Sequence, residues 1–225
     1  MKIVFIGTVR FSEIMLRKLV GLKAEVAHVF TKQASTLNSD FTDLRTFCRE
    51  AGIPYSYVRS INLKQNIDLI KNIAPDAVFC FGWSELLKPE LLRIPKMGVI
   101  GYHPALLPQN RGRHPLIWAL VLGLRETGST FFFMKKGADN GDILSQRKVR
   151  ISYQDDAASL YIKIASSAAQ QLTEFLPLLK GNKIIKIKQN NVKATYWRKR
   201  TINDGVIDWR MSSFSIYNLV RALTH

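Results

Sequence analysis

Four short apolar runs limit what this chain can fold into: "KIVFIG" (2–7), "EVAHVFT" (25–31), "DAVFCFG" (76–82) and "MGVIGYHP" (97–104). They are rich in Val, Ile and Phe, and two of them end at a glycine. Several are apolar at consecutive rather than alternate positions, so the strands they imply must be covered on both faces. Segments of helical spacing lie between them. These are "RFSEIMLRKLVGL" (10–22) with Ser12 as its N-cap, a helix over 41–51 ended by Gly52 and Pro54, "NIDLIKNIA" (66–74), and a short helix over 88–94. Strand and helix in alternation predict an α/β fold: a Rossmann-like, mostly parallel twisted sheet with helices on both faces.

Beyond residue 104 the pattern continues. "PLIWALVLGL" (115–124) reads as a buried helix, "GSTFFFMKKG" (128–137) and "GDILSQRKVRIS" (141–152) as two strands around a loop, and 156–180 as a long helix. "KIIKIKQ" (183–189) reads as a strand or edge segment, and "SSFSIYNLVRAL" (212–223) as a last helix behind Ser212. The expected division is a main domain over 1–182 and a short C-terminal extension over 183–225, apparently cut short at His225 within the helical pattern.

Composition narrows the function. No window approaches the roughly eighteen apolar residues of a membrane span, and the opening "MKIVFIGTVRF" suits a first buried strand better than a signal sequence. Two cysteines, Cys48 and Cys80, have neither metal-site spacing nor a disulfide framework, as suits a reduced cytoplasm. No metal site is signalled. Gly7 stands alone, without the remaining glycines of a G-x-G-x-x-G, and there is no P-loop, which argues against a nicotinamide or ATP enzyme. The net charge is +16, and "KGNKIIKIKQNNVKATYWRKR" (180–200) holds eight basic residues and no acid. Such a surface suits a phosphorylated partner or a plain solvated face.

In open α/β sheets, ligands bind beyond the carboxyl ends of the strands. That rule gathers Gly7-Thr8, Trp83-Ser84 and His103, the last within "GYHPALLPQNRGRHP" (101–115). Asp139, in "KKGADNGD", lies on the loop between two later strands. By spacing alone, His103 suits either catalysis or a structural hydrogen bond, and Asp139 and Asp142 around Asn140-Gly141 are ordinary turn residues.

The same segments resemble the folate-dependent formyltransferase superfamily, whose hallmark is N-x-H-x-[SA]-L-L-P followed about 30 residues later by D-x-G. "GYHPALLPQNRGRHP" and "GADNGD" match it, and "KIVFIGTVRFSEIMLRKL", "GIPYSYV", "APDAVFCFGWSELLKPELL" and "TGSTFFFMKKGADNGDILSQ" follow the family order. "TYWRKRTINDGVIDWRMSSFSIYNLVRAL" is similar to the stretch after the catalytic domain in methionyl-tRNA and amino-sugar members. The resemblance implies 10-formyltetrahydrofolate as cosubstrate, no metal, His103 as acid/base or oxyanion partner, and Asp139 as the carboxylate that orients it. It assigns the folate pocket to backbone of 82–88 and 134–139, with Trp83, Leu86 and Leu87 as apolar walls, although ordinary core packing suits the leucines equally.

One position departs from the family. Where members carry an Asn two residues before the His, this chain has Gly101. Loss of such an oxyanion donor costs roughly 3–4 kcal/mol in comparable sites, and Asn110, His114 or a bound water in the vacated space are the candidate replacements. Without a replacement, the chain would be a slow enzyme or a non-catalytic folate- or nucleotide-binding relative.

Three acceptors are compared: a nucleotide-linked amino sugar, methionyl-tRNA and glycinamide ribonucleotide. The loop "KQASTLNSDFTD" (32–43), with one lysine and two aspartates, suits nucleic acid poorly, and the "RKRTINDGVIDW" continuation favours the amino-sugar members. Thr8, Arg10, Arg111, Arg113 and Tyr196 are the expected substrate contacts, with Asn110 near the sugar and Arg198 by the nucleotide. The resemblance implies a cytoplasmic enzyme of polysaccharide biosynthesis without nucleic-acid or membrane partners. The sequence itself sets no oligomeric state, although the sugar-modifying members it resembles are often homodimers. Methionyl-tRNA formylation is the alternative.

Overall fold

A computed structural model describes residues 1–35 and 39–224; residues 36–38 of the polar loop 32–43, and His225, lie outside the described residues. The first half runs β1 (Lys2–Ile6), α1 (Arg10–Gly21), β2 (Glu25–Thr31), α2 (Arg45–Glu50), β3 (Tyr55–Tyr57), α3 (Lys64–Ile73), β4 (Ala77–Cys80), α4 (Pro89–Leu92) and β5 (Val99–His103). The second adds β6 (Arg111–Gly112), α5 (Pro115–Val121), β7 (Glu126–Phe133), β8 (Ile143–Arg150), α6 (Ala157–Lys180), β9 (Tyr196–Trp197) and α7 (Ser213–Leu223).

Seven strands form one sheet in the order β3-β2-β1-β4-β5-β7-β8. β1 to β5 pair in parallel, whereas β7 runs antiparallel to β5 and β8 antiparallel to β7. The sheet is mostly parallel, as the sequence predicts. Of its two antiparallel pairs, β7/β8 follows from connection length: the loop between them is too short for the helical crossover that a parallel pair needs.

Burial of β1 on both faces is direct. Ile3 and Phe5 join Met15, Leu16, Leu19, Phe79, Leu172 and Phe175 on the α1/α6 face. Val4 and Ile6 join Phe30, Ile70, Val78, Leu91 and Val99 on the α3/α4 face. Successive side chains of a strand point to opposite faces, so a consecutive apolar run belongs at the centre of a sandwiched sheet.

The chain leaves β1 toward β2 and β3, then returns to β4 on the other flank of β1, and a crevice opens at such a reversal. Here the loops after β1 and β4 nearly touch. Gly82 has φ +63°, and a Cβ on it would lie 2.2 Å from Val9 Cγ2. Ser12 locks the crossing: its Oγ donates to the Phe81 carbonyl (2.6 Å) and accepts from the Thr8 and Val9 N–H groups (3.1 and 3.2 Å). Ser12 is therefore not the N-cap expected from sequence. Val9 holds that position, and Ser12 sits in the first helical turn with its hydroxyl turned back to the capping N–H.

Other boundaries shift for local reasons. α2 starts at Arg45 rather than 41, because Asp43 accepts the Arg45 N–H and the Tyr57 hydroxyl instead of entering the helix. α6 begins behind Asp156, which caps the Ser159 N–H at 2.8 Å. The expected strand at 183–189 contributes one bridge, Ile187 to Ile143. A ladder that no local pattern announces joins β6 to β9 in parallel. Arg221 docks α7 by donating to the carbonyls of Ser152, Tyr153 and Asp155. Among the described residues, no helix is long and apolar enough to cross a membrane.

Candidate active site

His103 is the last residue of β5, with 4% of its surface exposed. Its Nε2 lies 2.7 Å from the carbonyl oxygen of Asn110. A carbonyl only accepts, so Nε2 carries the proton and the neutral ring keeps its lone pair on Nδ1. Nδ1 faces Oδ2 of Asp139 at 3.5 Å, two acceptors with no proton between them, so the carboxylate supports the ring only once Nδ1 takes up a proton. Asn110 and Asp139 both adopt positive φ, 61° and 51°, and Asp139 Oδ2 accepts the Gly112 N–H at 3.0 Å. The structure thus brings together His103, Asp139 and Asn110, the last through its backbone.

The space beside Gly101 is filled. A Cβ there would lie 2.8 Å from Met134 Cγ and 2.9 Å from Phe132 Cζ, so side chains occupy the volume proposed above for a water. The Asn110 side chain accepts from the Thr195 hydroxyl on Oδ1 (3.2 Å). His114 stands at the N-terminus of α5, where burial and the nearby Arg113, Arg200 and Lys199 hold its imidazole below its usual range.

The 82–88 loop is tied to the 60–62 turn. Glu85 accepts from the Ser60 hydroxyl, the Ile61 N–H (3.0 Å) and Asn62 Nδ2 (2.8 Å). Asn62 also accepts the Lys88 N–H at 2.7 Å and donates to the Leu86 carbonyl at 2.9 Å. Burial pushes the Glu85 carboxyl up, but hydrogen bonds from Ser60, Asn62 and Ile61 outweigh it and hold the group below the usual carboxylate range. Sequence reading missed Ser60, Asn62 and Glu85, whose link is apparent only once β4 and the turn after β3 are adjacent. The Trp83 ring is half-buried with Lys32 Nζ 4.9 Å from its centroid, and Leu86 is 61% exposed. Leu87 is buried among Val4, Ile6 and Val78, so it supports the loop from the core side. A cleft of about 420 Å³ lies beyond β2 and β3, lined by Lys32, Gln33, Ala34, Tyr57, Val58 and Arg59.

The expected substrate contacts divide. Thr8 is fully buried and its Oγ1 has no partner among the described residues, whereas Arg10 is exposed. Arg113 is exposed and donates to the Ser84 carbonyl at 3.0 Å, linking the His103 loop to the 82–88 loop. Arg111 differs: it is 2% exposed, and all three guanidinium nitrogens donate within the protein, to Gln189, Tyr196 and Asn191. Its burial sets it in the scaffold rather than against a substrate phosphate, and the Tyr196 hydroxyl is engaged with it. Arg198 pairs with Asp204 and lies over Trp118.

Cysteine chemistry is disfavoured, because burial pushes the Cys48 and Cys80 thiols up to about 11 and about 12. Among the described residues, no cluster of three or more His, Cys, Asp or Glu could hold a metal ion.

Residues 1–176 match the formyl transferase family model. The chain is 40% identical over 172 residues to the bifunctional polymyxin resistance protein ArnA of Wigglesworthia glossinidia brevipalpis, covering 76% of this chain and 26% of that protein. It therefore spans about a quarter of the length of that relative. It is 33% identical over 228 residues to the methionyl-tRNA formyltransferase of Caldanaerobacter subterraneus subsp. tengcongensis, covering 99% of this chain and 74% of that one. In structure it resembles the N-formyltransferase of Helicobacter canadensis in complex with folinic acid and dTDP-3-aminofucose, with a TM-score of 0.76, 22% identity, and 99% and 80% of the two chains covered. The match of residues 1–176 to the family model, together with a relative 33% identical over 99% of this chain, shows that the chain belongs to the formyl transferase family.

Proposed function

We propose that this chain moves the formyl group of 10-formyltetrahydrofolate to the amine of a nucleotide-linked amino sugar. The carrying observation is His103, with its tautomer set by the Asn110 carbonyl and its Nδ1 facing Asp139. The acceptor nitrogen bonds to the formyl carbon and the carbonyl oxygen becomes an oxyanion. Nδ1 of His103 accepts the proton that the nitrogen sheds, and the Asp139 carboxylate stabilises the resulting imidazolium. The bond from the formyl carbon to N10 then breaks, N10 takes a proton, and tetrahydrofolate leaves.

The folate fits the loops described above. Asn140 Oδ1, next to Asp139, is buried without a partner among the described residues and offers an acceptor to a pterin N–H. The rigid 82–88 segment presents its backbone beside Trp83. Of the expected contacts, Arg10 and Arg113 are exposed and available to a diphosphate, whereas Thr8 is fully buried and does not reach the sugar. The dTDP-aminosugar bound by the Helicobacter canadensis protein supports this acceptor class. We take the working site to be cytoplasmic and the product to feed polysaccharide synthesis.

Methionyl-tRNA is the second reading, favoured by the 33% identical relative that this chain matches over 99% of its own length. Tetrahydrofolate release, followed with dTDP- and UDP-linked 3- and 4-amino sugars and with methionyl-tRNA, separates the two. Turnover with an amino sugar is expected. Turnover confined to methionyl-tRNA would replace this acceptor with the other.

A further inference from the structure

The segment that follows α6 returns across both loops that carry the candidate catalytic pair. Ile187 exchanges two backbone hydrogen bonds with Ile143 (2.8 and 2.9 Å) at the start of β8. Thr195 then holds Asn110, accepting its N–H on Oγ1 at 2.8 Å, and β9 pairs with β6. Gln189 lies between these anchor points. Its Nε2 donates to the carbonyls of Asp139 (2.8 Å) and Gly141 (2.6 Å), and its Oε1 accepts from Arg111 Nε (3.2 Å) and Nη2 (2.6 Å).

All four hydrogen-bonding positions of one side-chain amide are therefore used, two on each catalytic loop. On one side is Asp139. On the other is Arg111, flanked by Asn110, whose carbonyl holds His103, and by Gly112, whose N–H holds the Asp139 carboxylate. The Arg111 guanidinium is buried, and it donates to neutral oxygens of Gln189, Asn191 and Tyr196. A buried charge held by neutral acceptors depends on each of them. The amide of Gln189 thus joins these two loops alongside the direct bond from the Gly112 N–H to the Asp139 carboxylate.

We propose that Gln189 is a positioning residue for formyl transfer, bridging the Asp139 loop and the His103 loop so that Nδ1 and Oδ2 face each other. The proposal rests on the assignment of His103 and Asp139 given above.

Gln189→Glu tests it, because the carboxylate keeps an acceptor for Arg111 and loses both donors to the Asp139 and Gly141 carbonyls. Gln189→Ser, which removes the whole bridge, carries the same test should the first variant fail to fold. The two readouts are kcat and KM for tetrahydrofolate release, and hydrogen exchange of the Gly112 N–H that Asp139 accepts. The expected result is a kcat lowered about 10- to 100-fold, the size of effect that small misplacements produce. KM should stay within about threefold, and Gly112 should exchange about tenfold faster by the same loss of positioning. Unchanged Gly112 exchange overturns the proposal, and so does lost protection at wild-type kcat. If the wild-type chain turns over none of the acceptors, the functional reading fails, while the exchange measurement still decides the role of Gln189.

Discussion

The sheet core and the segment that crosses the active-site loops are held by different physics. In β1 each of Ile3 to Ile6 is fully buried, in one of two apolar clusters. In 183–200, Ile185 is 82% exposed, and the segment is fixed instead by Gln189, Asn191, Thr195 and Tyr196 bonding to residues about 50 to 85 positions earlier. Burial gives the core its stability without dictating chemistry. The polar segment adds little buried apolar area, yet it reaches both loops on which the chemistry depends. A mutation in the first region should therefore be read in stability and one in the second in rate.

The largest expected break of this contrast is Phe5→Ala. It removes a ring packed edge-on against Phe81 at 5.6 Å, and should cost about 3–5 kcal/mol in urea unfolding. Gly101→Asn comes next. Met134 and Phe132 fill the space its side chain needs, so it should destabilise by about 1–3 kcal/mol, and adding Met134→Ala should recover part of that loss.

Glu85→Gln sharpens the comparison within the 82–88 loop, with an expected loss on the order of 1 kcal/mol at neutral pH. The folded carboxyl titrates below its ordinary value of 4.5, so its contribution is present above that pH and lost as pH falls through the folded value. The gap between wild type and variant in thermal unfolding should therefore close on acidification below 4.5. Ile185→Ser, on the exposed part of the crossing segment, should change stability by less than about 0.5 kcal/mol.

This division also governs how much was legible in the sequence. Consecutive apolar runs announced β1, β4 and β5, because a strand covered on both faces leaves that mark in one stretch of chain. The run over 156–180 announced α6 in the same local way. His103 and Asp139 were legible through motif resemblance, since their spacing alone fits turns and structural histidines. The roles of Gln189, Thr195, Asn62 and Glu85 were not legible: each is an ordinary polar residue whose partner is more than twenty positions away. Arg111 shows the opposite error. A charged residue in an Arg-Gly-Arg reads as a phosphate contact until β6 and β9 are paired and its guanidinium is seen enclosed.

The most direct test of the account is single-turnover release of tetrahydrofolate by wild type, His103→Ala and Asp139→Asn, alongside the Tm of each. Loss of His103 should slow release by about 100-fold or more, and loss of the Asp139 charge by a smaller factor, with Tm within a few degrees of wild type. Release at the wild-type rate by folded His103→Ala would contradict the account and move the chemistry away from the end of β5.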